Sequence, residues 1–244
     1  MCGGPRIARL VAVIILMTWG EAALSGTIGI APLRVDFDHE TRSAVMQIFN
    51  TGEESLAMQV EPLRWTQSAE GEDQYETASE VVAVPPVFQL APGETQLVRV
   101  GLLSERPHAL REQTYRLFFT ELPAPVEPGT RAAGLRMRLR VSVPVFSAPL
   151  AEPQPELQLL GVALHNDRLQ IRLQNSGNSH LRVAELQLLS GSGGQWRNAN
   201  ARYILAGGTR NFYFDDLPTD ADFSRLRAVT DDGGVREYEV AVPH

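Results

Sequence analysis

The chain has 244 residues, of which 43% are hydrophobic and 21% charged, a composition typical of a folded globular protein. A formal net charge of −7 is unfavourable for a general nucleic-acid or anionic-membrane binder. Every one of the 22 basic residues is arginine, which excludes lysine nucleophiles, Schiff bases and P-loop lysines. A single cysteine, Cys2, excludes internal disulfides and cysteine-based metal clusters.

Residues 1–23 have the pattern of a secretory signal peptide. Two arginines precede an apolar run, Leu10–Trp19, and small residues follow it. The run is too short to span a bilayer comfortably, so we predict cleavage near Ala22 or Ala23; an uncleaved N-terminal anchor is the alternative. Because no later apolar stretch is long enough for a membrane helix, we expect an exported mature chain without stable membrane insertion.

Short alternating runs, separated by proline, glycine and asparagine, predict an all-β fold of two antiparallel sandwiches. In the first half the predicted strands are Ala44–Phe49, Ala57–Val60, Gln96–Leu102, Thr114–Leu122 and Leu135–Phe146. In the second half they are Leu169–Leu173, Leu181–Leu189, Tyr203–Leu205, Asn211–Phe214 and Val235–Val242. A weak helical patch, Asp220–Leu226, is the exception. The proline-rich stretch 149–156 predicts a linker between an N-terminal domain, 24–148, and a C-terminal domain, 157–244.

A short motif occurs once in each half. Asn50 begins an Asn-Thr-Gly turn and Asn175 an Asn-Ser-Gly turn, and in both cases a leucine six residues later begins the next predicted strand. Such turns are common, but their matching positions suggest two related folds.

The sequence carries no recognised catalytic or metal-binding motif, and we predict a protein without enzymatic activity, cofactor or metal. Its five histidines do not pair at metal-ligand spacing, and we interpret them as solvent-exposed: His39, His108, His165, His180 and His244. The glycine-rich stretch Ser190–Gly194 joins two predicted strands, which favours a hairpin over a phosphate-binding loop. The many acidic residues leave open a carboxylate pair like that of a secreted hydrolase.

The clearest two-residue periodicity in the chain lies at 135–143. One predicted face is apolar: Leu135, Met137, Leu139, Val141 and Val143. Arginine and serine alternate with these residues on the other face. The stretch is either an ordinary strand whose apolar face joins its own core, or an edge strand that offers this face to another protein.

Two stretches in the first half resemble the PapD-like pilus chaperones of the chaperone–usher pathway. They are Pro85–Val100, with its double proline and later Pro-Gly turn, and Arg111–Pro123, just before the periodic strand. The resemblance extends over residues 28–244 and looks nearest to a divergent, archaic-type branch. It implies two immunoglobulin-like sandwiches in an L-shaped arrangement, with a subunit bound in the cleft and along the last strand of the first domain.

The function implied by this resemblance is assembly rather than catalysis. A periplasmic chaperone of this kind fills the open groove of a pilin-like subunit by donor-strand complementation and delivers the subunit to an outer-membrane usher. The apolar residues of 135–143 would be the donor strand, and no nucleic acid, metal or cofactor is implied. A secreted two-domain immunoglobulin-like adhesin or carbohydrate-binding module shares the architecture and is the alternative, although the sequence shows no surface aromatic platform.

The resemblance also implies roles for charged residues. Arg34 matches the arginine that anchors the C-terminal carboxylate of the subunit, a task suited to a bidentate, permanently charged guanidinium. The family's cleft lysine falls on Pro144, and this chain has no lysine, so Arg34 acts alone or with Arg140 or another cleft arginine.

Three further charged residues match a buried ion network between the domains of these chaperones: Arg99, Glu112 and Asp231. A network of this kind would fix the angle between the two sandwiches.

Overall fold

The structure, a computed structural model, describes residues 28–103, 109–123, 138–165, 168–218 and 222–241. Throughout these residues the regular secondary structure is β-strand, which confirms the predicted all-β fold. Within the same ranges no helix is long and apolar enough to cross a membrane. The predicted signal peptide, residues 1–23, lies outside the described residues.

The first half packs two sheets against each other. Its strands are β1 (Ile28–Ala31), β2 (Val35–Phe37), β3 (Ser43–Asn50), β4 (Leu56–Gln67), β5 (Asp73–Thr77), β6 (Val81–Val84), β7 (Val87–Leu90), β8 (Thr95–Leu102), β9 (Gln113–Glu121) and β10 (Arg140–Ser147). One sheet has the order β1-β3-β8-β6, and the other has the order β2-β10-β9-β4-β5 with β7 beside β4. Met46, Val98 and Phe119 are among the side chains of both sheets that meet in a single core.

The second half repeats this two-sheet arrangement around a separate core, which includes Ile171, Leu188 and Phe212. Its strands are β11 (Leu157–His165), β12 (Arg168–Asn175), β13 (Leu181–Ser190), β14 (Gln195–Asn198), β15 (Arg202–Ile204), β16 (Thr209–Phe214), β17 (Phe223–Thr230) and β18 (Val235–Glu239). The sheets have the orders β11-β12-β16 and β14-β13-β17-β18, with β15 beside β13.

Side-chain alternation explains why these segments are strands. In β3, Met46 and Ile48 are fully buried, whereas Val45 and Gln47 face outward. Successive side chains of a strand point to opposite faces of the sheet, so a period of two buries one apolar face and leaves the other in water.

The repeated asparagine motif forms the same buried corner in both halves. Asn50 accepts a hydrogen bond from the backbone N–H two residues later (2.9 Å) and donates from Nδ2 to the carbonyl four residues later (2.7 Å). Asn175 makes the equivalent bonds at 3.0 and 2.7 Å. Each side chain also donates to a distant carbonyl, that of Leu90 or Ile204. The shared corner supports the predicted relationship between the two sandwiches.

The predicted helical patch near Asp220–Leu226 is wrong over its described part, which leads into strand β17. Phe223 and Leu226 are both buried although they are three residues apart, a spacing that imitates a helix. The cause is a break in register: Leu189 pairs with Arg225 but Ser190 pairs with Phe223. An extra residue on one strand shifts the alternation by one position, as in a β-bulge.

Candidate functional site

A guanidinium and two rings meet in a cleft of about 450 Å³ between the two halves. Arg34 immediately precedes β2, which pairs in parallel with the end of β10 and so lies beside Phe146. The guanidinium carbon of Arg34 is 5.0 Å from the centroid of the Phe146 ring. His180, just before β13, stacks on the same ring with a centroid separation of 3.5 Å. The arginine is therefore held against a buried aromatic surface.

Arg34 is paired with Asp36 in the free protein. Its Nε donates to both carboxylate oxygens at 2.8 Å, and its Nη2 lies 2.7 Å from Oδ1. Partial burial lowers the pKa of Arg34, but the hydrogen bond and the negative charge of Asp36 together raise it above its usual value. Among the described residues these contacts use Nε and Nη2, which leaves Nη1 for a second carboxylate.

Carboxylates line much of the cleft around Arg34: Asp36, Asp38, Glu112, Asp231 and Asp232. The Thr230 hydroxyl and the Gly234 amide donate to Asp232, and these bonds lower the pKa of that carboxyl. Within the described ranges, no group of three His, Cys, Asp or Glu side chains could hold a metal ion. Arg34 is the one arginine among the described residues that line this cleft, and the surrounding carboxylates make the rest of the cleft unfavourable for an anion.

Glu112 joins the two halves through His180. Its Oε2 accepts from the backbone amide of His180 at 2.8 Å and lies 2.7 Å from the ring Nδ1. The backbone amide of Glu112 also donates to the carbonyl of Asn178 at 2.8 Å. The sequence analysis expected a solvent-exposed His180, and this prediction is wrong. The His180 side chain is only 9% exposed, and that of Glu112 is 6% exposed.

The structure brings two of the three predicted network residues together and places the third elsewhere. Glu112 and Asp231 line the same cleft. Arg99 lies on β8 in the four-stranded sheet, where it pairs with Val45 and Val84 and faces outward. The reason is the alternation of β8, in which the residues on either side of Arg99 are buried in the first core. In place of the arginine, Glu112 has the histidine as its partner.

One edge of β10 is open near the cleft. On one side the whole strand, Arg140–Ser147, pairs with β9. On the other side β2 pairs only with Val145–Ser147. Among the described residues, the outer edge of Arg140–Pro144 therefore has no strand partner. Proline suits such an edge, because it has no backbone N–H to contribute to a ladder.

The apolar side chains along this strand are graded from exposed to buried. Leu139 is 36% exposed, Val141 is half-buried, and Val143 is 1% exposed and packs in the first core. The predicted donor-strand role of Val143 is therefore wrong, because a side chain inside its own sandwich cannot fill the groove of a partner. Leu135 and Met137 lie outside the described residues.

Arg116 is an arginine beside the aromatic cluster of Trp65 and Tyr203 that the sequence did not single out. It lies on β9 directly opposite Pro144, and its guanidinium carbon is 4.0 Å from the centroid of the Trp65 ring. Its Nη1 donates to the Ser142 hydroxyl at 3.0 Å, and its Nε is buried without a hydrogen-bond partner. Arg140 is the first residue of β10, and its guanidinium carbon is 4.2 Å from the centroid of the Phe118 ring. Only the β9–β10 register reveals which arginine faces Pro144.

The protein has two sandwiches, and an open strand edge lies beside an arginine-bearing cleft. Such an edge is a surface at which a strand of another polypeptide can bind. The chain belongs to the family of pili and flagellar-assembly chaperones, because residues 27–152 match the PapD N-terminal domain of that family. This confirms the predicted resemblance to PapD-like chaperones and the predicted assignment to pilus assembly. A search of curated protein sequences finds no significant match.

Solved structures share the fold of two immunoglobulin-like domains. The chain is 22% identical, with a TM-score of 0.67, to a chain in the complex of the chaperone CsuC with the tip subunit CsuE from archaic Csu pili of Acinetobacter baumannii, covering 90% of this chain and 100% of that one. For the Salmonella enterica complex of the SafA pilin with the SafB chaperone, the identity is 14%, the TM-score 0.59 and the coverage 90% and 99%. For the E. coli chaperone DraB the values are 15%, 0.54, 88% and 96%.

Proposed function

We propose that this chain is a non-catalytic periplasmic chaperone that holds a pilin-like subunit by donor-strand complementation and delivers it to an outer-membrane usher. The observation that carries the proposal is the open edge of Arg140–Pro144 next to the cleft of Arg34. Two similar structures, by their descriptions, contain a chaperone bound to a tip subunit or a pilin, which supports a client of this kind.

The open edge provides the backbone of the interface. A subunit strand that pairs with Arg140–Pro144 gains the hydrogen bonds that edge N–H and C=O groups leave free. Leu139 and Val141 then fill the subunit groove, together with Leu135 and Met137, which precede them in the chain. Burial of each large apolar side chain contributes up to about 1.5–3 kcal/mol. The groove of the subunit, otherwise exposed and prone to aggregate, is covered.

The cleft provides the anchor. Arg34 binds the C-terminal carboxylate of the subunit through its free Nη1 edge while Asp36 keeps the guanidinium oriented. Arg116 supplies the second positive charge, because it faces Pro144, the position where the family's lysine falls. The Trp65 ring and the Ser142 hydroxyl hold its guanidinium in place.

Co-expression with a pilin subunit that lacks its own last strand tests the anchor. Arg34→Ala should fold normally, because an exposed ion pair such as Arg34–Asp36 contributes only about 0–1 kcal/mol to stability. It should nevertheless recover little subunit in a pull-down, and Arg116→Gln should show a weaker version of the same defect. Arg99→Ala, on the other sheet, is the matched control and should bind normally. Normal subunit recovery by folded Arg34→Ala would contradict the anchor.

A further inference from the structure

The turn between β4 and β5 reaches across to the second half of the chain. Its three consecutive carbonyls, those of Ala69, Glu70 and Gly71, all accept hydrogen bonds from second-half side chains. The donors are Arg172 Nη2 to Ala69 (2.7 Å), Thr209 Oγ1 to Ala69 (3.1 Å), Asn211 Nδ2 to Glu70 (2.8 Å) and Arg210 Nη1 to Gly71 (2.7 Å). A loop that would otherwise be solvated is thus bound by β12 and β16.

Arg210 is the centre of this contact and is 5% exposed. Its Nη2 lies 2.5 Å from Oδ1 of Asp73, at the start of β5, and its Nε donates to the carbonyl of Tyr203 at 3.3 Å. The same Asp73 oxygen accepts from the Trp65 indole at 2.9 Å and from the Gln67 amide at 3.3 Å. The buried charge of Arg210 is therefore paired with a partly exposed carboxylate and hydrogen-bonded, the condition under which a buried charge is tolerated and geometrically specific.

Gln67 and Gly71 add two further contacts between the hairpin and the second half of the chain. Gln67 donates to the carbonyl of Tyr203 at 3.0 Å and accepts from the amide of Leu205 at 3.1 Å. Gly71 has φ = +86°, and a Cβ there would lie 3.0 Å from the Cα of Arg210. A side chain at this position would be strained in its backbone and would also push the two halves apart.

This contact is continuous with the cleft. The ring of Trp65, which bonds to Asp73, is 6.2 Å from that of Phe146 and 5.6 Å from that of Tyr203, and these residues share one small buried cluster. Phe146 in turn carries the guanidinium of Arg34. Packed rings therefore connect the hairpin contact to Arg34 without a gap.

We infer that the 68–73 hairpin and Arg210 form a latch that fixes the orientation of the two sandwiches and, with it, the width of the cleft. This latch adds to the contacts of Glu112 between the two halves, and it supplies the arginine that the sequence analysis expected at Arg99. Arg210 is a positioning residue: it acts on a client only through the domain angle. The effect on client capture rests on the proposed function, whereas the effect on domain orientation does not.

Distances between spin labels in the free chaperone, which carries Cys2→Ser so that only the introduced cysteines are labelled, test the latch without a client. The exposed sites Leu97→Cys in the first half and Val235→Cys in the second carry the labels. The distance distribution should be narrow in the parent protein and should broaden in Gly71→Ala and Arg210→Met, with partial narrowing in Arg210→Lys. Arg227→Met, which breaks an exposed ion pair with Glu237, is the control and should leave the distribution unchanged.

The two latch variants act from opposite halves, so a folding failure in one leaves the other informative. Circular dichroism should show native strand content in Gly71→Ala. An unchanged, narrow distance distribution in folded Gly71→Ala would overturn the latch. Arg34→Ala should leave the distribution narrow, so that loss of client binding by that variant is separable from loss of domain orientation.

Discussion

Leu139, just before β10, and Val143, within it, share one apolar alternation, yet they should respond to truncation in opposite ways. Val143→Ala removes two methyl groups from a site that is 1% exposed in the first core. At about 0.8 kcal/mol for each buried methyl-sized group, with a further cost for the cavity, the free chaperone should lose about 2 kcal/mol of unfolding free energy. Leu139 is 36% exposed and precedes the first residue of β10, so Leu139→Ala should cost less than about 1 kcal/mol.

For the affinity of the complex with a client, Leu139→Ala should have the larger effect of the two changes. If Leu139 enters the groove of a subunit, its loss should weaken the complex by about 1 kcal/mol, or roughly fivefold in Kd, beyond any effect on the free protein. Val143→Ala should change the Kd little, because its side chain stays in the same core in both states. Urea unfolding of the free variants and titration with a strand-deficient pilin give the two quantities. Equal destabilisation of the free protein by both changes would refute the reasoning, as would a client defect confined to Val143→Ala.

Three further changes have simple expectations. Phe146→Ala should lower the unfolding free energy by about 3–5 kcal/mol in urea, because this 1% exposed ring packs between the two halves, and Phe146→Leu should cost much less. Tyr238→Phe should cost about 1 kcal/mol in the same assay, through loss of the 2.7 Å bond to the carbonyl of Leu157. Thr230→Val should raise the pKa of Asp232 towards its ordinary value in an NMR titration; since the folded-state pKa is depressed, the associated stability is present above about pH 4 and is lost as the pH falls.

The alternation of apolar and polar residues predicted the strands well. It also predicts the direction of the Arg99 side chain, which the resemblance to the chaperone family did not take into account. The period of two in β3 is visible in the sequence, and the structure keeps it. The same rule applied to β8 places Arg99 between two buried valines, facing away from the core. The resemblance that assigned Arg99 to an ion network considered only its residue type, whereas the alternation of β8 already predicts that its side chain points away from the core.

Contacts between distant segments could not be predicted. Arg210 and Asp73 are 137 positions apart, and nothing near either residue in the sequence marks it as half of an ion pair. His180 likewise lies in a polar stretch, and its burial depends on stacking with Phe146 from the other half. The change from core to open edge along β10 depends on where β2 stops pairing, which the continuous apolar alternation of 135–143 does not reveal.

Hydrogen–deuterium exchange of the full-length chaperone, alone and in complex with a co-expressed strand-deficient pilin, tests donor-strand complementation most directly. The amides in peptides that span residues 138–146 should exchange readily at the open edge in the free protein and become strongly protected in the complex, because a subunit strand then pairs with Arg140–Pro144. A stable complex that leaves these peptides unprotected, with protection elsewhere, would contradict the proposed role of this edge.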